Sequence, residues 1–146
     1  MYMHFARLQA EKVLEHNDVP IGAVIVHKNQ IIAAAGNEVE KTKDPTAHAE
    51  IQAIRMATQY FQNMRLEECD MYVTLEPCPM CAQAISFARI RRLYFGAYDP
   101  KGGGVEHGPR IYEQESCHHK PEVHGGIEET LCAQLLQDFF KGLRGE

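Results

Sequence analysis

The stretch Met71-Tyr72-Val73-Thr74-Leu75-Glu76-Pro77-Cys78-Pro79-Met80-Cys81 governs how the rest of the chain is read. Its first five residues are rich in strand formers, and Glu76-Pro77 ends them. Pro79 then suits a helix start, where the amide that proline lacks would have no partner anyway. A strand running straight into a helix is the unit of an α/β sheet. Upstream, Met3, Ala6, Ala10, Val13 and Leu14 recur at helical spacing until Asn17, Asp18 and Pro20 interrupt them. Two short apolar runs, Ile21 to His27 and Gln30 to Ala35, flank the polar turn His27-Lys28-Asn29 and predict an antiparallel pair. Gly36 to Pro45 is polar and reads as a loop. A second helix begins near Thr46 or Ala47 and is predicted to bury Ile51, Ile54, Ala57 and Phe61. Downstream, the spacing predicts a helix from about Pro79 to Arg89 and a strand from Leu93 to Ala97. Tyr98 to Pro109 reads as a flexible loop, because Gly102, Gly103 and Gly104 are consecutive. A weak strand near Val123 precedes a last helix from Glu128 to Arg144, with Leu131, Leu135, Leu136, Phe139, Phe140 and Leu143 on one face. The pattern predicts an α/β fold, a mixed sheet with helices on both faces.

At 146 residues and 45% hydrophobic content, the chain is expected to form a single domain over 1–146, large enough to hold a core without disulfides. The charged fraction of 24%, with only 11 Gly and 7 Pro, argues against long disordered or collagen-like segments. No apolar run approaches the roughly 18 residues that span a bilayer, and Met1 to Arg7 lacks the order of a signal peptide. A cytoplasmic protein with no membrane partner is therefore expected. The formal charge of −5 excludes a wholly basic nucleic-acid binder but leaves room for a local basic patch, for which Arg89, Arg91, Arg92, Lys101, Lys141 and Arg144 are the candidates. Five cysteines cannot pair evenly, so a cysteine cluster is better explained by thiolate or metal chemistry.

Such a cluster is present. His48-Ala49-Glu50 opens the second helix and Pro77-Cys78-Pro79-Met80-Cys81 opens the third, so both helix starts can face one site. His48, Cys78 and Cys81 supply three ligands for one tetrahedral zinc with its fourth position open, as a catalytic site requires. Zinc lowers the pKa of bound water from about 15.7 to roughly 7, and Glu50, close by but not a ligand, suits the role of proton shuttle. Two other readings stand beside this one. A CxxC at a helix start is also a thioredoxin-like redox arrangement, and a fourth ligand from another of the 8 histidines would make the zinc structural. Cys69, Cys117 and Cys132 lack metal-type spacing and read as ordinary core or surface thiols. His118-His119 lacks a partner motif and reads as an exposed loop pair.

The H-x-E and P-C-x-x-C pair is the signature of the zinc deaminases that act on nucleobases. Asp18 to Val24, Gly36-Asn37, Asp44 to Ile51, Thr74 to Cys81, Phe95 to Asp99 and Asp138-Phe139-Phe140 resemble the bacterial tRNA-specific adenosine deaminases in order and spacing. The resemblance implies a three-layer α/β/α cytidine-deaminase-like fold and a homodimer. It also implies zinc as the sole cofactor, with no organic one, and conversion of the wobble adenosine in a tRNA anticodon loop to inosine. By position it implies that His48, Cys78 and Cys81 hold zinc and that Glu50 shuttles protons. It further implies that Asn37 contacts the flipped nucleotide, that Asp99 lies beside a neighbouring nucleotide, and that Phe140 and Arg144 lie near the RNA. On bare sequence Asn37 is a turn residue after glycine, and Phe140 is equally a core residue. The chain departs from the family at Tyr98, where some members carry a basic residue, and in the Gly102 to His107 loop. Rival functions are a deaminase of a free nucleobase or nucleoside such as guanine, cytosine or cytidine, a non-catalytic RNA-binding partner, and a thiol redox protein.

Overall fold

Strand β3 (Cys69–Leu75), the apolar run that precedes Glu76-Pro77, is the middle strand of five in the computed structural model, which describes residues 1–143 and 145. It pairs antiparallel with β1 (Gly22–His27) and parallel with β4 (Arg92–Ala97). Beyond these, β2 (Gln30–Gly36) continues antiparallel to β1, and the three-residue β5 (Glu122–His124) continues parallel to β4. The sheet is thus mixed, in the order β2-β1-β3-β4-β5.

Alternation along the strands divides the core in two. Ala23, Ile25, Met71, Val73, Leu93 and Phe95 pack with residues of α3 (Ala49–Phe61) and α4 (Pro79–Phe87). Val24, Val26 and Tyr72 take the opposite face, under α1 (Tyr2–Lys12) and α5 (Glu129–Leu143). This is the three-layer α/β/α arrangement expected of the sequence. Among the described residues no helix is long and apolar enough to cross a membrane.

Four local readings are corrected. The stretch after Gly36 is not wholly a loop: Val39–Thr42 forms one helical turn, α2, because the buried Asp18 carboxylate accepts the amides of Glu40 and Lys41 at 2.6 and 3.1 Å. In α3 the buried stripe is Ala49, Ala53 and Ala57, whereas Ile51, Ile54 and Phe61 are only half-buried. Small side chains at i, i+4 spacing let the helix lie close to the sheet and push the bulky ones to its flank. Helix α4 stops at Phe87 rather than Arg89, which adopts a positive φ of 62°. In α5 Cys132 alone is buried among the described residues, and Leu131, Phe140 and Leu143 are exposed, so the apolar face read from the sequence is largely open to solvent.

Candidate active site

Two helix starts meet beside the carboxyl ends of β3 and β4. His48 is the residue that caps α3 and Cys78 the one that caps α4, both with extended backbone (φ −71°, ψ 153° and φ −70°, ψ 170°). Residues at this position commonly use their side chains to accept a free helix amide. Neither does so here, which leaves the imidazole and the thiol available to each other. Cys81 follows in the first turn of α4.

His48 Nδ1 lies 3.6 Å from Cys78 Sγ and 3.4 Å from Cys81 Sγ, and one donor atom from each of the three residues lies within 4.8 Å of the others. Tetrahedral zinc, with bonds of about 2.0–2.1 Å to nitrogen and 2.3 Å to sulfur, sets those atoms about 3.6 Å apart. The donor set therefore fits the ion in type and in spacing. Its proton chemistry agrees. The hydrogen bond from the Cys81 thiol, helped by His48 and opposed by burial, pulls Cys78 down to about 4. Cys81 is pushed far up by that sharing and by burial, and the hydrogen bond with Cys78 raises His48. Three groups share too few protons, and a dication would satisfy them together. Among the described residues no other group of three such side chains is close enough to hold a metal.

Glu50, in the first turn of α3 and only 4% exposed, has its carboxyl pushed up to about 7, chiefly by burial. It is a protonatable group beside the donor cluster rather than one of its ligand atoms.

Asn37 follows β2, and both ends of its amide are engaged: Oδ1 accepts the Val39 amide and Nδ2 donates to the Val19 carbonyl, each at 3.2 Å. It holds the turn that bare sequence assigns to it. Asp99 and Phe140 meet across an open cavity of about 630 Å³, lined also by Val19, Tyr98, Lys101 and Leu136. Arg144 lies outside the described residues. Two of the basic candidates are engaged elsewhere. Arg91 makes a two-pronged pair with Asp70 (3.0 Å each), and Arg92 pairs with Glu122 at 2.9 Å, both at the start of β4, the opposite end of the sheet.

Sequence reading passes over Glu76. Its side chain is fully buried, and it accepts the backbone amides of Asp99 (3.0 Å), Val105 (3.2 Å), Glu106 (2.9 Å) and His107 (3.1 Å), with His107 Nδ1 at 2.8 Å. Burial opposes its ionisation, yet these donors hold the carboxyl below its usual range. The glycine run is consequently packed rather than loose, and the Gly104 amide donates to the Pro77 carbonyl at 2.8 Å. The available signal was an acid between an apolar strand and a proline, a place where burial demands partners. The remaining motifs are structural: His119 Nε2 contacts the Ile90 carbonyl at 2.7 Å, and Cys69, Cys117 and Cys132 are buried.

Compared with known proteins, residues 1–144 match the family described as MafB19-like deaminase. The chain is 52% identical over 143 residues to a protein of Agrobacterium fabrum named tRNA-specific adenosine deaminase, covering 98% of this chain and 94% of that one. It is 42% identical over 144 residues to the Bacillus subtilis protein of the same name, covering 99% and 89%. A solved structure from biochemical and structural studies of A-to-I editing by tRNA:A34 deaminases at the wobble position of transfer RNA superposes with a TM-score of 0.91. It is 52% identical and covers 92% of this chain and 98% of that one.

Proposed function

The chain belongs to the tRNA-specific adenosine deaminase family and is a MafB19-like deaminase, and on that premise we propose that it hydrolyses the wobble adenosine of a tRNA anticodon loop to inosine, using one zinc ion per chain. The observation that carries the chemistry is the triangle of His48, Cys78 and Cys81 donors with the buried carboxyl of Glu50 beside it. The relatives support tRNA over a free base. Zinc held by those three residues supplies Lewis acidity that makes water a nucleophile near neutral pH. Glu50 takes the proton from the attacking water and delivers one to N1 of adenine as C6 is attacked. It then carries the proton of the new C6 hydroxyl to the departing amine, so that the C6–N bond breaks, ammonia leaves and inosine, keeping the N1 proton, results. One group serves every transfer, which fits a carboxyl poised between its two protonation states.

The cavity between β4 and α5 is the proposed receptacle for the flanking nucleotides. Asp99 and Phe140 contribute a carboxylate and an aromatic face, and Lys101 the positive charge for a phosphate. Asn37 contacts the flipped nucleotide, and Arg144 contacts the RNA, roles that the family resemblance supports. The domain is a single one over 1–146 and works as a cytoplasmic homodimer. The dimer is supported by an apolar groove of about 360 Å³ between α3 and α4, where Ile51, Ile54, Met64 and Phe87 meet, with Met64 75% and Phe87 74% exposed. Incubation with total tRNA, followed by nucleoside analysis of the anticodons and metal analysis of the protein, tests the reading. Inosine at the wobble position with about one zinc per chain is expected. Deamination of free guanine or cytidine with untouched tRNA would replace it by the free-base reading.

A further inference from the structure

The Tyr98 to His107 loop has little of its own to hold it. Three of its residues are consecutive glycines, and its backbone is only loosely self-bonded, through Gly103 N to the Asp99 carbonyl at 2.9 Å and Asp99 Oδ1 to the amides of Lys101 and Gly102. Nevertheless it presents Tyr98, Asp99 and Lys101 as one wall of the cavity they share with Val19, Leu136 and Phe140. Beyond the Gly104 amide's bond to the Pro77 carbonyl and the Ile111 amide's bond to the Gly104 carbonyl, each at 2.8 Å, what holds it is one side chain from another element. Glu76 Oε2 gathers three successive amides, Val105, Glu106 and His107, while Oε1 takes the Asp99 amide and the His107 ring nitrogen. The loop comes close enough that a Cβ on Gly103 would overlap Glu76 Oε2, and one on Gly104 would overlap the backbone of Cys78 and Pro79. The glycines therefore allow close approach, and the carboxylate supplies the attraction. Glu76 stands two residues before Cys78, so the same residue is tied through the chain to a metal donor and through hydrogen bonds to the cavity wall.

We propose that Glu76 is a positioning residue for the RNA substrate, joining the Cys78 segment to the Tyr98 to His107 loop so that the nucleotide subsites keep a fixed distance from the reacting base. The proposal rests on the tRNA reading above and deepens it. Glu76 touches no substrate. It acts through Asp99, Lys101 and the loop backbone, so its loss loosens RNA placement while the donors and Glu50 remain. Glutamine at this position keeps the shape but turns an amide donor toward backbone donors, which leaves buried N–H groups unmatched.

The test uses the zinc-loaded enzyme with the variants Glu76→Gln and His107→Ala, the second removing one exposed-side donor so that a folded comparison is available if the first is unstable. Three quantities are read: hydrogen exchange of peptides covering 99–107, zinc per chain, and KM and kcat for an anticodon stem-loop. Exchange in 99–107 should rise, and zinc should stay at the parental level. KM should rise roughly tenfold or more for Glu76→Gln and by a smaller factor for His107→Ala, with any fall in kcat smaller than the rise in KM. Unchanged exchange and KM in both variants overturn the proposal. Loss of zinc and kcat together at constant KM also overturns it, since that pattern marks general damage to the fold. A parent enzyme that leaves the stem-loop unreacted overturns the tRNA reading instead, and the exchange data still decide whether Glu76 holds the loop.

Discussion

Glu50 sits where a carboxyl is difficult to ionise, beside three groups that compete for protons. Glu50→Gln preserves its volume and all three donors but cannot carry a proton. Zinc per chain should be unchanged while inosine formation falls by about 10²–10⁴-fold or beyond, since general acid and base steps contribute on that scale. Stem-loop activity within tenfold of the parent would rule out the shuttle. These four residues were legible in the sequence because each helix start announces itself locally, through proline and through the end of a strand or loop. Glu76 was not, because its partners lie 23 to 31 residues away and no local pattern marks a long-range hydrogen bond. Cys69 offers a test remote from the site. Burial pushes its thiol up to about 11, whereas an unfolded cysteine titrates near about 8.5. The folded state keeps a proton that the unfolded state loses. The resulting stability is fully present below about pH 8.5 and disappears as pH rises through about 11. Denaturant melts of the parent and Cys69→Ala should therefore show a stability gap that narrows between about pH 8 and pH 10.5. A constant gap would mean that this thiol ionises as freely folded as unfolded.

Among the elements, α3 and α5 show what periodicity can and cannot specify. The apolar residues of α3 fall at helical spacing, and the helix is there, but two apolar stripes share it. The alanine stripe faces the sheet, and the larger Ile51 and Ile54 face a groove with α4. Hydrophobic period alone does not say which stripe meets its own sheet and which meets something else. In α5 the face assigned to the core is mostly exposed, because the helix docks through Cys132, close against Gly96 and the sheet. Phe140, 42% exposed, therefore contributes less than a core aromatic would. Phe140→Ala should cost under about 1.5 kcal/mol in stability, against the 3–5 kcal/mol typical of a buried phenylalanine. If its ring stacks on a nucleotide, KM for the stem-loop should rise between roughly fivefold and a hundredfold, as for other base-stacking aromatics. A loss near 4 kcal/mol with unaltered KM would return Phe140 to the core.

At the scale of the whole molecule, the sequence predicted layers but not strand order. Alternation and length fix which segments are strands, whereas the order β2-β1-β3-β4-β5 depends on which connections cross the sheet. That order puts the parallel strands β3 and β4 side by side, so that the Cys78 turn and the Asp99 loop leave the same edge and share one site. The groove between α3 and α4 shares no lining residue with the Asp99 cavity and is mostly apolar, with the exposed Phe87 among its walls. Phe87→Asp should convert a dimer to a monomer in light scattering at micromolar concentration, and a dimer surviving the change would move the interface elsewhere. Substrate size is the more searching test. The donors and Glu50 could deaminate any adenine that reached them, whereas the Asp99, Lys101 and Phe140 wall, if it holds the flanking nucleotides as proposed, acts only on a nucleotide with neighbours. Binding energy gathered there raises the rate when it is used to unstack and align the reacting base rather than merely to hold the RNA. An anticodon stem-loop should then exceed free adenosine in kcat/KM by several powers of ten, and part of that difference should lie in kcat itself. Comparable kcat/KM on the two substrates would mean that the wall does nothing for the reaction, and the enzyme would have to be reassigned to free nucleosides with its donor cluster and Glu50 unchanged.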